Sequence, residues 1–171
     1  VTGTNGKTTI STLLYQLFSK AGFKVGLIST VAIKVGEKEY GTKLTTPDSI
    51  TINKYLAEMN DAGVEFCFME VSSHGIDQHR TSGLTFAGGI FTNLSHDHLD
   101  YHNSFAEYRD VKKRFFDELP KDAFALTNAD DKNGAIMLQN TKAKKYTYGL
   151  KTMSDYKAQI LENSFGGLLL K

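Results

Sequence analysis

The first nine residues, Val1-Thr-Gly-Thr-Asn-Gly-Lys-Thr-Thr9, have the composition of a phosphate-binding loop. Glycines allow tight turns, so that successive backbone N–H groups can converge on phosphate oxygens. Lys7 adds a cation for β- and γ-phosphates, and Thr8 adds a hydroxyl suited to Mg²⁺. The match to G-x-x-x-x-G-K-[ST] is incomplete, because Val1 occupies the place of the first glycine. A turn that only caps a helix is the alternative, but a GKTT run leading into a helical pattern favours nucleotide binding.

An acid ends the apolar segment Phe66-Cys-Phe-Met-Glu70, and the polar segment Val71-Ser-Ser-His-Gly75 follows it. In P-loop enzymes an acid on a neighbouring strand helps to hold Mg²⁺ beside the loop hydroxyl. A solvated glutamate at an ordinary strand end is the alternative. Because α/β proteins bind ligands at the carboxyl ends of their strands, the position favours a metal role for Glu70.

The segment from Asn93 to His102 contains three histidines and two aspartates within ten residues. Its spacing matches no zinc signature such as H-E-x-x-H. Magnesium prefers oxygen ligands, so one histidine beside carboxylates is plausible and a histidine-rich shell is not. A polar loop that caps the next helix is the alternative reading for any single residue here.

Lys112 occupies an unusual place in a predicted helix. At about 100° per residue, it lies in the middle of an apolar stripe, whereas Lys113 and Arg114 are predicted to point to solvent. The stripe consists of Phe105, Tyr108, Phe116 and Leu119. A buried lysine must snorkel, pair or lose its proton. Periodicity leaves two interpretations open, a snorkelling side chain and a neutral, reactive amine beside a metal site.

Alternating helices and strands are predicted around these segments. Helices are predicted at 8–21, 46–63, 75–80, 104–119 and 131–139, and strands at 24–29, 32–35, 38–40, 66–69, 86–91, 123–127 and 144–148, with a hairpin over 155–171. The predicted N-caps are Thr46, with Pro47 as the first helical residue, Ser104 in a capping box, and Asp130 or Asp131. This order predicts an α/β fold, a mostly parallel sheet with helices on both faces and β-hairpin decoration.

Composition narrows the class of protein. The chain has 171 residues, 40% hydrophobic and 23% charged, which suits one globular domain. The net charge of +1 argues against a nucleic-acid binder or a polybasic membrane anchor. No apolar run has the length of a membrane span, so no membrane insertion is expected. The single cysteine, Cys67, is predicted to be a small buried hydrophobe, and a reducing cytoplasm is the expected compartment.

Several ordered segments together resemble the Mur ligases. They are Thr2 to Thr9, Glu70 to Gly75, and Asn93 to His102 followed by Tyr108 and Lys112. Two further segments, Thr45-Thr-Pro-Asp48 and Gln78-His-Arg80, look most like the members of that family that add the third residue to UDP-N-acetylmuramoyl-dipeptide. The resemblance covers nearly the whole chain, as the family's central ATPase domain.

The resemblance implies roles for individual residues. ATP would be bound by Gly3, Thr4, Asn5, Gly6, Lys7, Thr8 and Thr9, with Asn128 at the adenine. The UDP-muramoyl-dipeptide would be contacted by Thr45, Thr46, Ser72, Gln78 and Arg80. One Mg²⁺ would be held by Thr8 and Glu70, and a second by His102 and by Lys112 as a CO₂-derived carbamate. The catalytic residues would be Lys7, Lys112 and His102. A carbamate agrees with the stripe position of Lys112, since only a neutral amine captures CO₂.

The implied reaction joins an amino acid, meso-diaminopimelate or L-lysine, to UDP-N-acetylmuramoyl-L-alanyl-D-glutamate through an acyl phosphate, as a step of peptidoglycan synthesis. We expect residues 1–171 to be a domain cut at both ends, without the N-terminal UDP-binding and C-terminal amino-acid-binding domains. Such a piece is expected to be monomeric and inactive alone.

Three alternative functions remain at this stage. A folylpolyglutamate or cyanophycin synthetase would share the same ATPase domain, but the Thr-Thr-Pro-Asp and Gln-His-Arg segments argue against it. A P-loop switch or kinase would need motifs that the sequence does not show, such as a guanine-reading segment. A noncatalytic nucleotide-binding module would have no need of an intact Lys7, Glu70, His102 and Lys112.

Overall fold

A computed structural model describes residues 1–95, 101–164 and 166–171. The helices are α1 (Lys7–Lys20), α2 (Ser49–Asp61), α3 (Ser73–Asp77), α4 (Phe105–Asp117) and α5 (Gly134–Met137). The strands are β1 (Val25–Ile28), β2 (Ile33–Val35), β3 (Lys38–Tyr40), β4 (Phe66–Met69), β5 (Gly88–Phe91), β6 (Phe124–Asn128), β7 (Lys144–Gly149), β8 (Tyr156–Lys157), β9 (Ile160–Ser164) and β10 (Gly167–Leu170). The predicted α/β class is confirmed, and most predicted elements lie within a few residues of the observed ones.

The strands form two four-stranded sheets and a hairpin. The first sheet has the order β3-β2-β1-β4, in which β1 and β4 are parallel and the β1–β2 and β2–β3 pairs are antiparallel. The second has the order β5-β6-β7-β8 and is wholly parallel. The last two strands, β9 and β10, pair only with each other within the described residues, so the predicted terminal hairpin is confirmed for its second half.

Val1 and Thr2 join the two sheets. The Val1 carbonyl accepts a hydrogen bond from the Val71 N–H (2.9 Å), just after β4. Thr2 donates to the Ile90 carbonyl (2.8 Å) and accepts from the Thr92 N–H (3.0 Å), as a parallel bridge to β5. Because the carboxyl ends of parallel strands meet at one edge of a sheet, residues after β1, β4, β5 and Thr2 are brought together there.

Helix α4 supplies much of the core. Tyr108 and Phe116 are fully buried, and burial of each such side chain stabilises the fold by about 1.5–3 kcal/mol. The predicted capping box is present, since the Ser104 hydroxyl accepts from the Glu107 N–H (3.1 Å). Lys112 lies on the buried face as predicted. The prediction that Lys113 points to solvent is wrong, because the residue is 9% exposed and its ammonium donates to the Asp117 carboxylate one turn later (2.6 and 2.8 Å).

Other local predictions are corrected by the structure. Asp48, rather than Thr46, is the N-cap of α2, since its carboxylate accepts from the Thr51 N–H (2.9 Å). Asn133, rather than Asp130 or Asp131, precedes α5. Cys67, in β4, is exposed rather than buried, so the prediction of a small buried hydrophobe is wrong.

One apolar face of α1 is only partly covered. Leu13 and Leu17 are 57% and 61% exposed, whereas Phe18 packs edge-on against Phe68 of β4. In the part of the chain that the structure describes, no helix combines the length and apolar character needed to cross a bilayer.

Candidate functional site

The loop between Thr2 and α1 has the backbone of a phosphate cradle. Gly3 (φ 145°) and Gly6 (φ 85°) adopt conformations that favour glycine, and a Cβ at Gly3 would lie 1.9 Å from Thr92 Oγ1. The first intrahelical bond of α1 runs from the Ile10 N–H to the Gly6 carbonyl (2.9 Å). The N–H groups at the start of this 14-residue helix therefore face the loop, where they favour an anion.

Lys7 folds back over this loop. Its ammonium donates to the carbonyls of Gly3 (2.9 Å) and Thr4 (2.8 Å). The charge is thereby held above the turn, where phosphate oxygens would be bound.

The segment after β5 clamps the loop from the other side. The Asn93 side chain pairs with the backbone of Asn5, accepting from its N–H (3.0 Å) and donating to its carbonyl (3.1 Å). The Thr92 hydroxyl also donates to the Asn5 carbonyl (2.7 Å). Thr4 donates its N–H to the Asn93 carbonyl (2.8 Å). Preorganisation of this kind lowers the entropy that ligand binding must remove.

Glu70 joins the loop to two other segments. Its side chain is fully buried, and Oε2 accepts hydrogen bonds from the hydroxyls of Thr8 (3.0 Å) and Thr30 (3.1 Å). The Thr30 N–H donates to Oε1 (2.8 Å). A hydroxyl and a carboxylate side by side are the oxygen ligands that Mg²⁺ prefers, so the predicted pair of Thr8 and Glu70 fits one magnesium ion.

Tyr108 organises a second part of the site. Its hydroxyl lies 3.1 Å from Thr4 Oγ1, and the Lys112 ammonium lies 4.8 Å from the centre of its ring. The His102 ring is 5.2 Å from the Tyr108 ring, centre to centre. Both Lys112 and His102 are 1% exposed. The structure thus gathers the predicted pair around one buried tyrosine that contacts the phosphate loop.

The second metal site is less complete than the first. Within residues 1–95, 101–164 and 166–171, no three histidine, cysteine or acidic side chains are grouped as a metal site. Carboxylates predicted from the histidine-rich segment, at positions 97 and 100, lie outside the described residues. An oxygen ligand made by carbamylation of Lys112 would supply chemistry that the unmodified amine lacks.

The residues predicted to bind the substrate form one network. The Thr46 hydroxyl is buried, donates to the Glu70 carbonyl (3.0 Å) and lies 3.1 Å from Ser72 Oγ. Arg80 donates to the Thr46 carbonyl (2.7 Å) and to Gln78 Oε1 (3.0 and 2.5 Å). The predicted set therefore converges beside Glu70, and the Thr46 hydroxyl is occupied by protein groups.

Thr45, the remaining member of that set, touches Thr30. Their hydroxyl oxygens lie 3.1 Å apart. Asn128, predicted to reach adenine, lies on the opposite side of the loop at the end of β6. Its amide donates to the Thr92 carbonyl (2.9 Å) and accepts from the Asp130 N–H (3.0 Å). Asn128 therefore helps to hold the segment after β5 in place.

Three residues of the site were not singled out from the sequence. Thr30 and Thr92 each follow a strand and contact Glu70 or the loop. The Asp131 carboxylate accepts a hydrogen bond from the Leu94 N–H (2.7 Å) and so fixes the segment that follows β5. Polar residues directly after predicted strands were the available signal, although the partners depend on strand order.

Comparison with known proteins agrees with this geometry. Residues 1–170 match the family described as Mur ligase middle domain. A protein of Phocaeicola vulgatus named UDP-N-acetylmuramoyl-L-alanyl-D-glutamate–2,6-diaminopimelate ligase is 61% identical over 170 residues, which are 99% of this chain and 35% of that protein. The chain thus spans about a third of the length of this relative.

Solved structures with similar folds include ligases. A structure with the same ligase name has a TM-score of 0.88 at 32% identity, covering 98% of this chain and 35% of the other. Escherichia coli FolC in complex with ADP has a TM-score of 0.65 at 15% identity, covering 98% and 46%, and shares the fold. The phosphate loop, the Glu70 network and the match over residues 1–170 lead to one assignment. The chain belongs to the Mur ligase middle-domain family.

Proposed function

We propose that this chain is the central, ATP-binding domain of a ligase that joins 2,6-diaminopimelate to UDP-N-acetylmuramoyl-L-alanyl-D-glutamate in the cytoplasm. The observation that carries the proposal is the hydrogen bond between Thr8 and Glu70 at the phosphate loop. The name of the 61%-identical relative supports this pair of substrates. That relative is about three times as long, which supports further domains for the uridine and the amino acid. L-lysine is the alternative amine, and its exclusion would depend on a domain outside residues 1–171.

In the proposed reaction the γ-phosphoryl group of ATP passes to the terminal carboxylate of the dipeptide, which gives an acyl phosphate and ADP. The amine of the incoming amino acid then attacks the acyl carbon, an amide bond forms and inorganic phosphate leaves. Lys7 and the N-terminus of α1 hold the phosphates and offset the charge that develops on them. The network of Thr46, Ser72 and Arg80 lies beside Glu70 and would hold the carboxylate on that side of the loop.

Metal ions belong to the same proposal. Thr8 and Glu70 would hold one Mg²⁺, and His102 with carbamylated Lys112 a second. Such ions would supply positive charge that offsets the negative charge developing on the transferring phosphoryl group. The protein residues orient the ligands and keep water out, since Glu70, His102 and Lys112 are all buried.

The complete ligase tests the proposal. We expect ATP hydrolysis that depends on both UDP-muramoyl-dipeptide and diaminopimelate, with loss of at least about a hundredfold in Lys7→Ala, since it removes charge stabilisation at the transferring group. Lys20→Ala, at the exposed end of the same helix, is the matched control and should keep full activity. Turnover stimulated instead by a folate substrate would contradict the proposal.

The isolated chain gives a second test. Residues 1–171 should bind ADP weakly in calorimetry and should form no amide bond. The chain is proposed to be monomeric in this state, which sedimentation would show. Robust amide-bond formation by this chain alone would refute the proposal that further domains are needed to bind the uridine and the amino acid.

A further inference from the structure

Glu70 and Thr30 meet because of the register between β1 and β4. These parallel strands pair Ile28 with Met69, and the Glu70 N–H donates to the Ile28 carbonyl (2.9 Å). The first residues beyond the strands are therefore neighbours at the carboxyl edge of the sheet. Thr30 is exposed, follows β1 by two residues and was not among the residues predicted for the site.

Thr30 contacts both oxygens of the Glu70 carboxylate. Its N–H donates to Oε1 (2.8 Å) and its hydroxyl to Oε2 (3.1 Å). Two bonds from one residue to the two oxygens fix the rotation of the carboxylate plane. Thr8 also donates to Oε2 (3.0 Å), so the same oxygen lies between the phosphate loop and Thr30. A carboxylate held in one orientation presents its remaining lone pairs in a defined direction.

Thr30 also contacts one of the residues predicted to bind the substrate. Its hydroxyl oxygen lies 3.1 Å from Thr45 Oγ1. A hydroxyl has one proton, so Thr30 donates to Glu70 or to Thr45 but not to both at once.

We infer that Thr30 is a positioning residue, which orients Glu70 for a divalent cation and connects that cation to Thr45. The inference rests on the proposed function, because it takes Glu70 as a metal ligand. It adds a residue that follows β1 to a site otherwise built from the phosphate loop and the residue after β4. A threonine that served only the fold would affect stability and leave cation affinity unchanged.

The test is a titration of Mn²⁺ into the protein with saturating ADP, followed by the electron paramagnetic resonance of free Mn²⁺. Thr30→Val removes the hydroxyl and keeps the shape and the N–H bond. We expect a rise of about tenfold in the Mn²⁺ dissociation constant, the effect typical of losing a group that orients a metal ligand. ADP affinity without metal should stay unchanged.

Two control variants make the result decisive. Thr30→Ser keeps the hydroxyl and should restore wild-type Mn²⁺ affinity, and Thr85→Val removes an exposed hydroxyl before β5 and should change nothing. Unchanged Mn²⁺ affinity in Thr30→Val, or equal losses in Thr30→Ser, would overturn the inference alone. A wild-type protein that binds ADP but takes up no Mn²⁺ in this titration would overturn the metal role of Glu70 and this inference with it.

Discussion

The hydroxyl of Tyr108, in the core of α4, lies 3.1 Å from the hydroxyl of Thr4 in the phosphate loop. The Tyr108 ring lies beside the Lys112 ammonium and the His102 ring. A single buried side chain thus contacts the loop and both residues proposed for the second metal. The phosphate loop, Lys112 and His102 therefore all pack against one side chain of α4.

Tyr108→Phe should destabilise the protein by about 1 kcal/mol, because it removes one buried hydrogen bond and leaves the ring in place. The measurement is urea unfolding followed by circular dichroism. Tyr146→Phe, on the partly exposed strand β7, is the matched control and should have no effect. Equal stability of Tyr108→Phe and wild type would show that the contact with Thr4 does not hold the loop.

Lys112 should be carbamylated when bicarbonate and Mg²⁺ are abundant, because its side chain is buried beside the Tyr108 ring at the proposed second metal site, where a carbamate oxygen would serve as a ligand. Labelled bicarbonate should give a carbamate signal in ¹³C NMR that Lys112→Met abolishes. Lys113→Met is the control, because Lys113 forms an ion pair with Asp117. The carbamate signal should persist in this variant. Detection of free amine alone under these conditions would count against the modification.

Gly75→Ala should destabilise the protein by about 1–3 kcal/mol, the usual range for overpacking. An added Cβ would lie 2.7 Å from Thr46 Cβ and Cγ2, in a place where Thr46 is held by Glu70 and Ser72. Helix propensity alone would predict the opposite sign for this position in α3. Gly41→Ala, where no atom lies within 4 Å of the new Cβ, is the control. Denaturant midpoints of the two variants would decide between crowding and propensity.

Asp130→Ala should release the backbone of residues 150–152. The Asp130 carboxylate accepts N–H bonds from Leu150 and Thr152 (2.7 Å each), and these bonds hold its pKa well below the usual range. Since the folded pKa is lowered, the stabilisation is fully present above the unfolded pKa of about 4 and is lost as the pH falls below it.

Amide exchange at Leu150 and Thr152 measures this effect. Exchange should accelerate in Asp130→Ala at pH 7 and remain slow in Asp122→Ala, whose carboxylate is exposed. Equal protection in both variants would show that Asp130 does not hold this segment.

Local patterns predicted the parts of the site that depend on neighbouring residues. The loop, the strand ending at Glu70 and the helix carrying Lys112 were all identified in this way. The role of Thr30 could not be predicted, because it depends on the pairing of β1 with β4 across some forty residues. Asp130 was misjudged as a cap for a similar reason, since its partners are twenty residues away.

The exposure of α1 could not be predicted, because amphipathic spacing specifies which residues share a face and not what covers that face. Leu13 and Leu17 share a face but remain more than half exposed. The predicted solvent position of Lys113 failed for another reason. Phe115 and Val111 widen the buried side of α4, so more than a narrow stripe is covered.

Val1 and Thr2, which join the two sheets, couple the conformation of the phosphate loop to the stability of the fold. Within the described residues, the backbone hydrogen bonds between the two sheets run through these two residues. Local opening of a protein begins where few bonds must break. An opening that parts the sheets would break the bonds of Thr2 and distort Gly3 at the same moment. A nucleotide bound to the loop would therefore also stabilise the contact between the two sheets, since whatever holds the loop in shape also keeps the sheets from separating.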